Sequence, residues 1–423
     1  MRLLAALVGL GLVLVGCTGV RATPEPVTLR VVLADDWASA PLVGEVVDAF
    51  EREHPGVRVQ IHGTPFSQIP EVVAAASELA QPYDLAHWHA FAAAAAGLAE
   101  PVDDLWEAAG LAPDGFLPGA VIDVTWDGQR YGVPLDVNAL VLLANADLLD
   151  AAGLTPADLQ DSATFTQHAA QLAALPETDH ALVVTGSSWA AYGWIVANGG
   201  QLLELAPDGT AALDADGLPT FSFEHPATVA ALDALVELVR SGSAPPPLAV
   251  DLAISAVAPF ADGRSALHTS GSWDLPITRR AMELDTEVDE VLVLPLPQAD
   301  PAQPRTVLGG SSLFLPVGGD HRELAFALSR ALIDREVGIA LAATEGRLPA
   351  RRDAYDDPLF RSSPDLAAFV TQLDHATVMP LIAFPEVSIA FRDGLEAVLG
   401  QRATPSAAMA DVQQVADRWR ATR

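Results

Sequence analysis

The sequence predicts an exported α/β protein of two domains, and three observations carry that expectation. Strand-like runs alternate with helix-length stretches whose apolar residues fall three and four apart, the βαβ rhythm of a sheet covered by helices. Roughly 400 residues follow the opening segment, more than a single core normally serves, so two domains are expected. The opening segment itself has the layout of a secretory signal.

That segment has a short basic start, Met1-Arg2, and continues as an uncharged apolar run from Leu3 to Val15. The run is shorter than the roughly 20 residues a spanning helix needs. It ends at Leu14-Val15-Gly16-Cys17. A cysteine directly after a small residue resembles the bacterial lipobox, whose thiol receives a lipid and becomes the new N-terminus. The alternative is a chance cysteine in an ordinary signal peptide. Cys17 is the single cysteine in 423 residues, so the mature chain has no disulfide and relies on its core. Residues 18–26 read as a flexible tether. Later apolar stretches such as Phe91 to Ala99 are too short and alanine-rich to span a membrane.

The first domain element is a strand from Val27 to Leu33. A helix from Pro41 to Glu53 follows, with Leu42, Val43, Val46, Val47 and Phe50 on its apolar face. Pro55-Gly56 ends it, and Val57 to Ile61 alternates as a strand. A helix near 70–79 and a strand over 84–88 complete the first βαβαβ unit. Further on, a strand is expected over 140–144, then a helix over 146–152 closed by Gly153. Thr155-Pro156 and Thr164 mark helix starts, and residues 182–185 a buried strand. The stretch 226–241 reads as an amphipathic helix. Strands are expected over 266–269, 291–294 and 313–315, and the C-terminal hundred residues read as mainly helical.

The formal net charge is −32, and all 23 basic residues are arginine. That balance excludes nucleic acid and charge-driven binding to an anionic bilayer. No G-x-S-x-G, H-E-x-x-H, Walker or EF-hand motif is present, and nothing calls for a cofactor. His87 and His89 have a spacing that suits a metal, but no second ligand cluster supports one; they read as polar contacts or structural residues.

Several phrases, in order, resemble one family. They are Phe50-Glu51-Arg52-Glu53-His54-Pro55-Gly56-Val57, Asp127-Gly128-Gln129-Arg130-Tyr131-Gly132-Val133-Pro134, and Leu143-Ala144-Asn145-Ala146-Asp147. Phe260-Ala261-Asp262-Gly263-Arg264-Ser265-Ala266-Leu267 with Gly271-Ser272-Trp273, Leu308-Gly309-Gly310, and Gly346-Arg347-Leu348-Pro349-Ala350-Arg351 complete the set. The chain resembles the extracellular solute-binding family of carbohydrate ABC importers, which includes maltose-binding protein. The resemblance implies a two-lobe periplasmic-binding-protein fold (type II). Each lobe is then a mostly parallel sheet flanked by helices, with the ligand cleft between them. It implies residues 27–135 as the first part of lobe 1, 136–270 as the first part of lobe 2, 271–315 as a return to lobe 1, and 316–423 as mainly lobe 2 helices. Its implied partners are a carbohydrate, the membrane subunits of an ABC importer, and the membrane through the lipid at Cys17. The protein is expected to be a monomer and not an enzyme.

A sugar needs hydrogen-bond partners for its hydroxyls and aromatic rings for its C–H faces. Loops at the carboxyl ends of strands are the expected place for both. Asp36 and Trp37 follow the first strand; they read either as hydroxyl acceptor and stacking ring or as a helix-capping segment. The resemblance assigns ligand contact to Trp88, Trp189 and Trp273. It also assigns the place of Asn138, where the family carries a carboxylate; the amide here departs from it, and Asp136 offers an acceptor nearby. Gly309, Gly310 and Ser311 are expected to present backbone N–H groups or a hydroxyl to the cleft. Phe384 lies near a further aromatic place of the family. Trp106, Trp126, Trp194 and Trp419 are expected in the structure rather than the site. The alternatives are a non-sugar ligand such as a polyamine or glycerophosphodiester and, in another class, a glycoside-processing enzyme using paired carboxylates.

Overall fold

The computed structural model describes residues 27–183, 187–206, 211–215, 217–245, 254–282 and 291–423. Cys17, the leader, the tether, and residues 184 and 185 of the expected 182–185 strand lie outside the described residues. Strand β1 (Val27–Ala34) pairs in parallel with β2 (Val57–Thr64) along its whole length and with β3 (Leu85–Trp88) on its other side. The connections are the helices Pro41–Glu53 and Ile69–Glu78. Each carries proline in its first turn, where the missing N–H removes no helical bond. Val43, Val46 and Phe50 form the buried stripe of the first helix. Gly56, at φ +94°, turns the chain into β2.

A hairpin of β4 (Thr125–Trp126) and β5 (Gln129–Arg130) turns at Asp127-Gly128, both at positive φ. Strand β6 (Gly132–Ala139) then runs through Leu140 into β7 (Val141–Asn145) and changes lobe in doing so. Asn145 caps the helix Ala146–Ala152 by accepting from Leu148 N–H at 3.1 Å, and Gly153 closes it in the left-handed region. Strands β8 (His180–Val183), β9 (Ser265–Ser270) and β10 (Val291–Leu294) join β7 in a four-stranded sheet of order β10-β7-β9-β8. Strand β11 (Thr306–Phe314) returns to the first lobe. There it joins β12 (Leu348–Pro349) and β13 (Ala376–Val378) in a seven-stranded sheet of order β12-β6-β11-β3-β1-β2, with β13 beside β11.

Two expectations are corrected. The sheets are mixed rather than mostly parallel. Among the described residues β1–β2, β1–β3, β8–β9 and β11–β13 pair in parallel, while β6–β11, β3–β11, β6–β12, β7–β9 and β7–β10 are antiparallel. Parallel pairing needs a helical crossover, which the chain supplies around β1–β3. Where the chain crosses between lobes as an extended strand and later comes back, outgoing and returning strands meet head to tail. The second correction concerns boundaries. The first part of lobe 1 runs to Ala139 rather than to 135, because β6 pairs with β11 and β12, and lobe 1 resumes at β11 rather than at 271, because β10 still pairs with β7. The C-terminal helices are divided: Arg322–Leu332 packs on Pro41–Glu53 and Arg335–Glu345 on β12, whereas Pro385–Leu399 and Pro405–Ala421 pack on Pro226–Arg240 of lobe 2.

Alternation along β7 feeds both cores. Leu142 and Ala144 face the lobe 2 core with Phe165, Leu235 and Phe391, while Val141 and Leu143 face the other core with Phe260 and Phe369. The helix Pro364–Leu373 touches both β6 and β10 and so lies across the junction. Trp106 is buried with its indole N–H donating to Gly132 O at 2.9 Å, and Phe384 packs among Phe221, Trp126 and Trp419. Phe384 is thus a core residue of lobe 2.

Candidate cleft site

Strand β6 sets the floor of the site. Asp136 and Asn138 are two residues apart and share one face of it. Across from them, Gly309 is opposite Asn138, Gly310 opposite Val137 and Ser311 opposite Asp136, before a bulge between Ser311 and Ser312. Gly310 sits at φ +123°, where L side chains are strained. A Cβ on Gly309 would strike Asn138 Oδ1 and the Trp189 ring.

These residues meet others in a cavity of about 190 Å³ between the lobes. Lobe 1 contributes Asp36, Trp37, Phe66, His87, Asp136, Asn138, Gly310, Ser311 and Arg347; Ser272 and Trp273, after β9, come from lobe 2. Trp273 folds over Gly271, where any side chain would run into its ring. It also lies 5.7 Å from Trp189 at an interplanar angle of 50°. Trp189 sits next to the cavity, near the start of the helix Ser188–Ala197, with its indole N–H donating to Leu308 O at 3.3 Å.

A hydrogen-bonded chain runs behind the floor. Ala34 N–H donates to His87 Nδ1 at 3.3 Å, which leaves the ring proton on Nε2. His87 Nε2–H then donates to Ser311 Oγ at 2.6 Å, and the Ser311 hydroxyl donates to Asp136 Oδ1. Burial dominates His87 and pushes it down to about 3, so it stays neutral. Burial pushes Asp136 up to about 6, against the opposing pull of Arg347 and the Ser311 hydroxyl. Asp36 is desolvated in part, but the charge and hydrogen bond of Arg347 hold it below the ordinary range. Arg347 donates to Asp36 at 2.6 Å and to Glu345 at 3.2 Å, and its guanidinium lies 4.6 Å from the centre of the Trp37 ring.

The raised Asp136 sets a pH dependence of stability. Its folded value of about 6 exceeds the ordinary 3.8. Between those values the folded state binds more protons than the unfolded state, so stability falls as pH rises through the window. The loss is about 3 kcal/mol and is complete above pH ~6. Asp136→Asn is expected to flatten that decline and to raise stability at pH 7.5 relative to the parent. Urea unfolding of both proteins from pH 4 to 7.5 measures it, and parallel profiles would refute it.

The placement differs from the expectation at Trp189, which sits beside the cavity rather than in its lining, and at Trp88 and Trp37. Trp88 does not face the cavity. His87 and His89 occupy the cleft side of β3 and its extension, so alternation sends Trp88 to the opposite face, against both cores. Trp37 lines the cavity but is buried, with Arg347 over its ring and His87 at 5.5 Å. Its face is therefore occupied by protein. Six lining residues were not assigned to the site from sequence: Ala34, Phe66, His87, Ser272, Gly346 and Arg347. Arg347 stands in one of the quoted phrases, but its partner Asp36 is 311 residues away. Among the described residues no group of three or more His, Cys, Asp or Glu is placed to hold a metal ion. No helix among them is long and apolar enough to cross a membrane.

Two atoms of the cavity lining are buried without a hydrogen-bond partner: Asn138 Oδ1 and Ser272 Oγ. Each such atom costs about 1–3 kcal/mol while unpaired. They belong to opposite lobes, and both are shut off from solvent where the lobes meet.

A family model described as bacterial extracellular solute-binding protein matches residues 45–368. The structure is similar to the GacH receptor of Streptomyces glaucescens, solved unliganded and with acarbose, at a TM-score of 0.77 and 21% identity over 93% of this chain and 97% of that one. It is also similar to maltose-bound MalE3 of T. maritima, at a TM-score of 0.78 and 19% identity over 93% and 100%. UgpB from Mycobacterium tuberculosis, solved with glycerophosphocholine, matches at 0.77 and 19% over 93% and 99%. At these identities the likeness establishes the fold, the two-lobe periplasmic-binding-protein fold (type II).

Proposed function

This chain belongs to the bacterial extracellular solute-binding proteins, and from that membership we propose that it captures a carbohydrate in the cleft and hands it to the membrane subunits of an ABC importer. The observation that carries the ligand class is the make-up of the cavity, lined by the Asp136 and Asn138 side chains on one lobe and by Ser272 and the partly exposed Trp273 ring on the other. A sugar's hydroxyls bond the polar groups and its C–H face lies on the ring. The cavity, at about 190 Å³, is below the ~300 Å³ lower end of drug-sized sites and suits one sugar ring at a time.

Closure follows from the site's division between lobes. A ligand bonded to Asn138 and to Ser272 binds the closed form better than the open one, and that difference in affinity shifts the population. The importer's membrane subunits then read the closed surface. No catalytic group is required of this chain, and its family and fold are those of transport binding proteins. It acts as a monomer.

A glycerophosphodiester is the second reading, since one solved relative holds glycerophosphocholine. The cleft weighs against it here, because Arg347 is already engaged by Asp36 and Glu345. Calorimetry against mono- and disaccharides, polyamines and glycerophosphodiesters separates these. Heat is expected with sugars; heat only with the other classes would overturn the carbohydrate reading.

The protein is exported, and we place its lipid anchor at Cys17, directly after Gly16. Cys17→Ser is expected to move it from the membrane fraction to the soluble fraction or to leave the leader uncleaved. Fractionation with mass spectrometry of the N-terminal peptide tests this; a variant still carrying lipid would show the assignment to be wrong.

A further inference from the structure

The charges lining the cleft do not balance. Arg347 already has two carboxylate partners: Nη2 donates to Asp36 at 2.6 Å, Nε to Glu345 at 3.2 Å, and the guanidinium covers Trp37. Asp136 is situated differently. It is buried and lines the same cavity, and the hydrogen-bond donor on its carboxylate among the described residues is the Ser311 hydroxyl. Behind Ser311, His87 is neutral and donates along the chain, so it supplies no counter-charge. The described lining therefore holds two carboxylates, Asp36 and Asp136, against one guanidinium, and Glu345 shares that same cation.

Three ligand types meet this arrangement differently. An acidic sugar brings a carboxylate towards Asp136, and the one guanidinium of the described lining, Arg347, is already shared by Asp36 and Glu345. A neutral sugar offers hydroxyl donors to Asp136 and Asn138. An amino sugar brings an ammonium group, with three donors and a full charge, to a buried carboxylate that has no cation of its own. In a desolvated cleft that pairing outweighs a neutral hydrogen bond. The rings of Phe66 and Trp273 in the same lining add cation–π attraction.

Resting on the carbohydrate reading above, we infer that the cleft selects an amino sugar over its neutral and acidic counterparts, with Asp136 receiving the ammonium group.

The test is calorimetry of the full chain in detergent at pH 7.0 with matched sets: glucose, glucosamine and glucuronate, then galactose, galactosamine and galacturonate. In at least one set the amine is expected to bind about tenfold tighter than the neutral sugar and the uronate more weakly than either. Asp136→Asn is expected to remove most of the amine preference. Neutral sugars binding as tightly as the amines would overturn the inference and leave the carbohydrate reading standing. An amine preference unchanged in Asp136→Asn would overturn the role of Asp136. Absence of heat from every sugar would overturn both readings. If Asp136→Asn is not folded by circular dichroism, the ratios in the parent protein decide alone.

Discussion

Gly310→Ala is expected to destabilise the protein by about 3 kcal/mol and to abolish ligand binding. Gly310 holds φ +123° in the middle of β11. A Cβ there would collide with the carbonyl oxygen of Asp136 and lie 2.7 Å from Val137 Cα. Both are backbone atoms of β6, so no rotamer change relieves the contact, and the two strands must separate. That separation acts on the site directly. The bulge after Ser311 aims its hydroxyl at Asp136 and at His87, and a shift of β11 undoes both bonds. Urea unfolding and calorimetry measure the two effects. A midpoint equal to the parent's would mean that the strand pair accommodates the methyl group and that the close approach is not tight.

Trp273→Ala is expected to leave the fold intact and to weaken sugar binding by about 1–3 kcal/mol, roughly 5- to 150-fold. The ring is partly exposed at the cavity and is supported by Gly271 beneath it and by Trp189 at 5.7 Å. Removing it takes away an apolar face on the lobe 2 side. The hydrogen-bond partners on β6 and the chain behind them stay in place. The expected signature is therefore a loss of affinity with little change in unfolding midpoint. Calorimetry with the tightest sugar of the panel measures it, and unchanged affinity would remove Trp273 from the site.

Much of the architecture was legible because local signals agreed with tertiary demand. Pro41, Gly56, Asn145 and Gly153 punctuate elements through backbone chemistry that no distant contact overrides. The division of the C-terminal helices was not legible: Phe326 and Phe391 sit on similar amphipathic helices yet belong to different cores. Periodicity says that a helix has a buried face and not which partner covers it. In the site, Asp136, Asn138 and Trp273 could be named because each lies in or next to a recognisable phrase, and the structure brings the three to one cavity. Trp88 was misplaced by one position in a strand whose alternation is carried by two histidines, polar residues that do not mark an inward face. Arg347 and Ser272 escaped because their roles depend on neighbours far away in sequence. Arg347 matters through Asp36 and Trp37, and Ser272 through a cavity shared with Asn138.

The helices Pro385–Leu399 and Pro405–Ala421 close the core that β7 opens. On the ribosome, lobe 2 therefore exposes an unfinished apolar surface until residue 421 has been synthesised. Lobe 1 waits as well, because β11 inserts between β6 and β3. Contacts of such long sequence separation form slowly. A nascent chain of this topology therefore completes both lobes late, once its last elements are available. The same strand exchange that joins the lobes thus makes the completion of each depend on residues synthesised late.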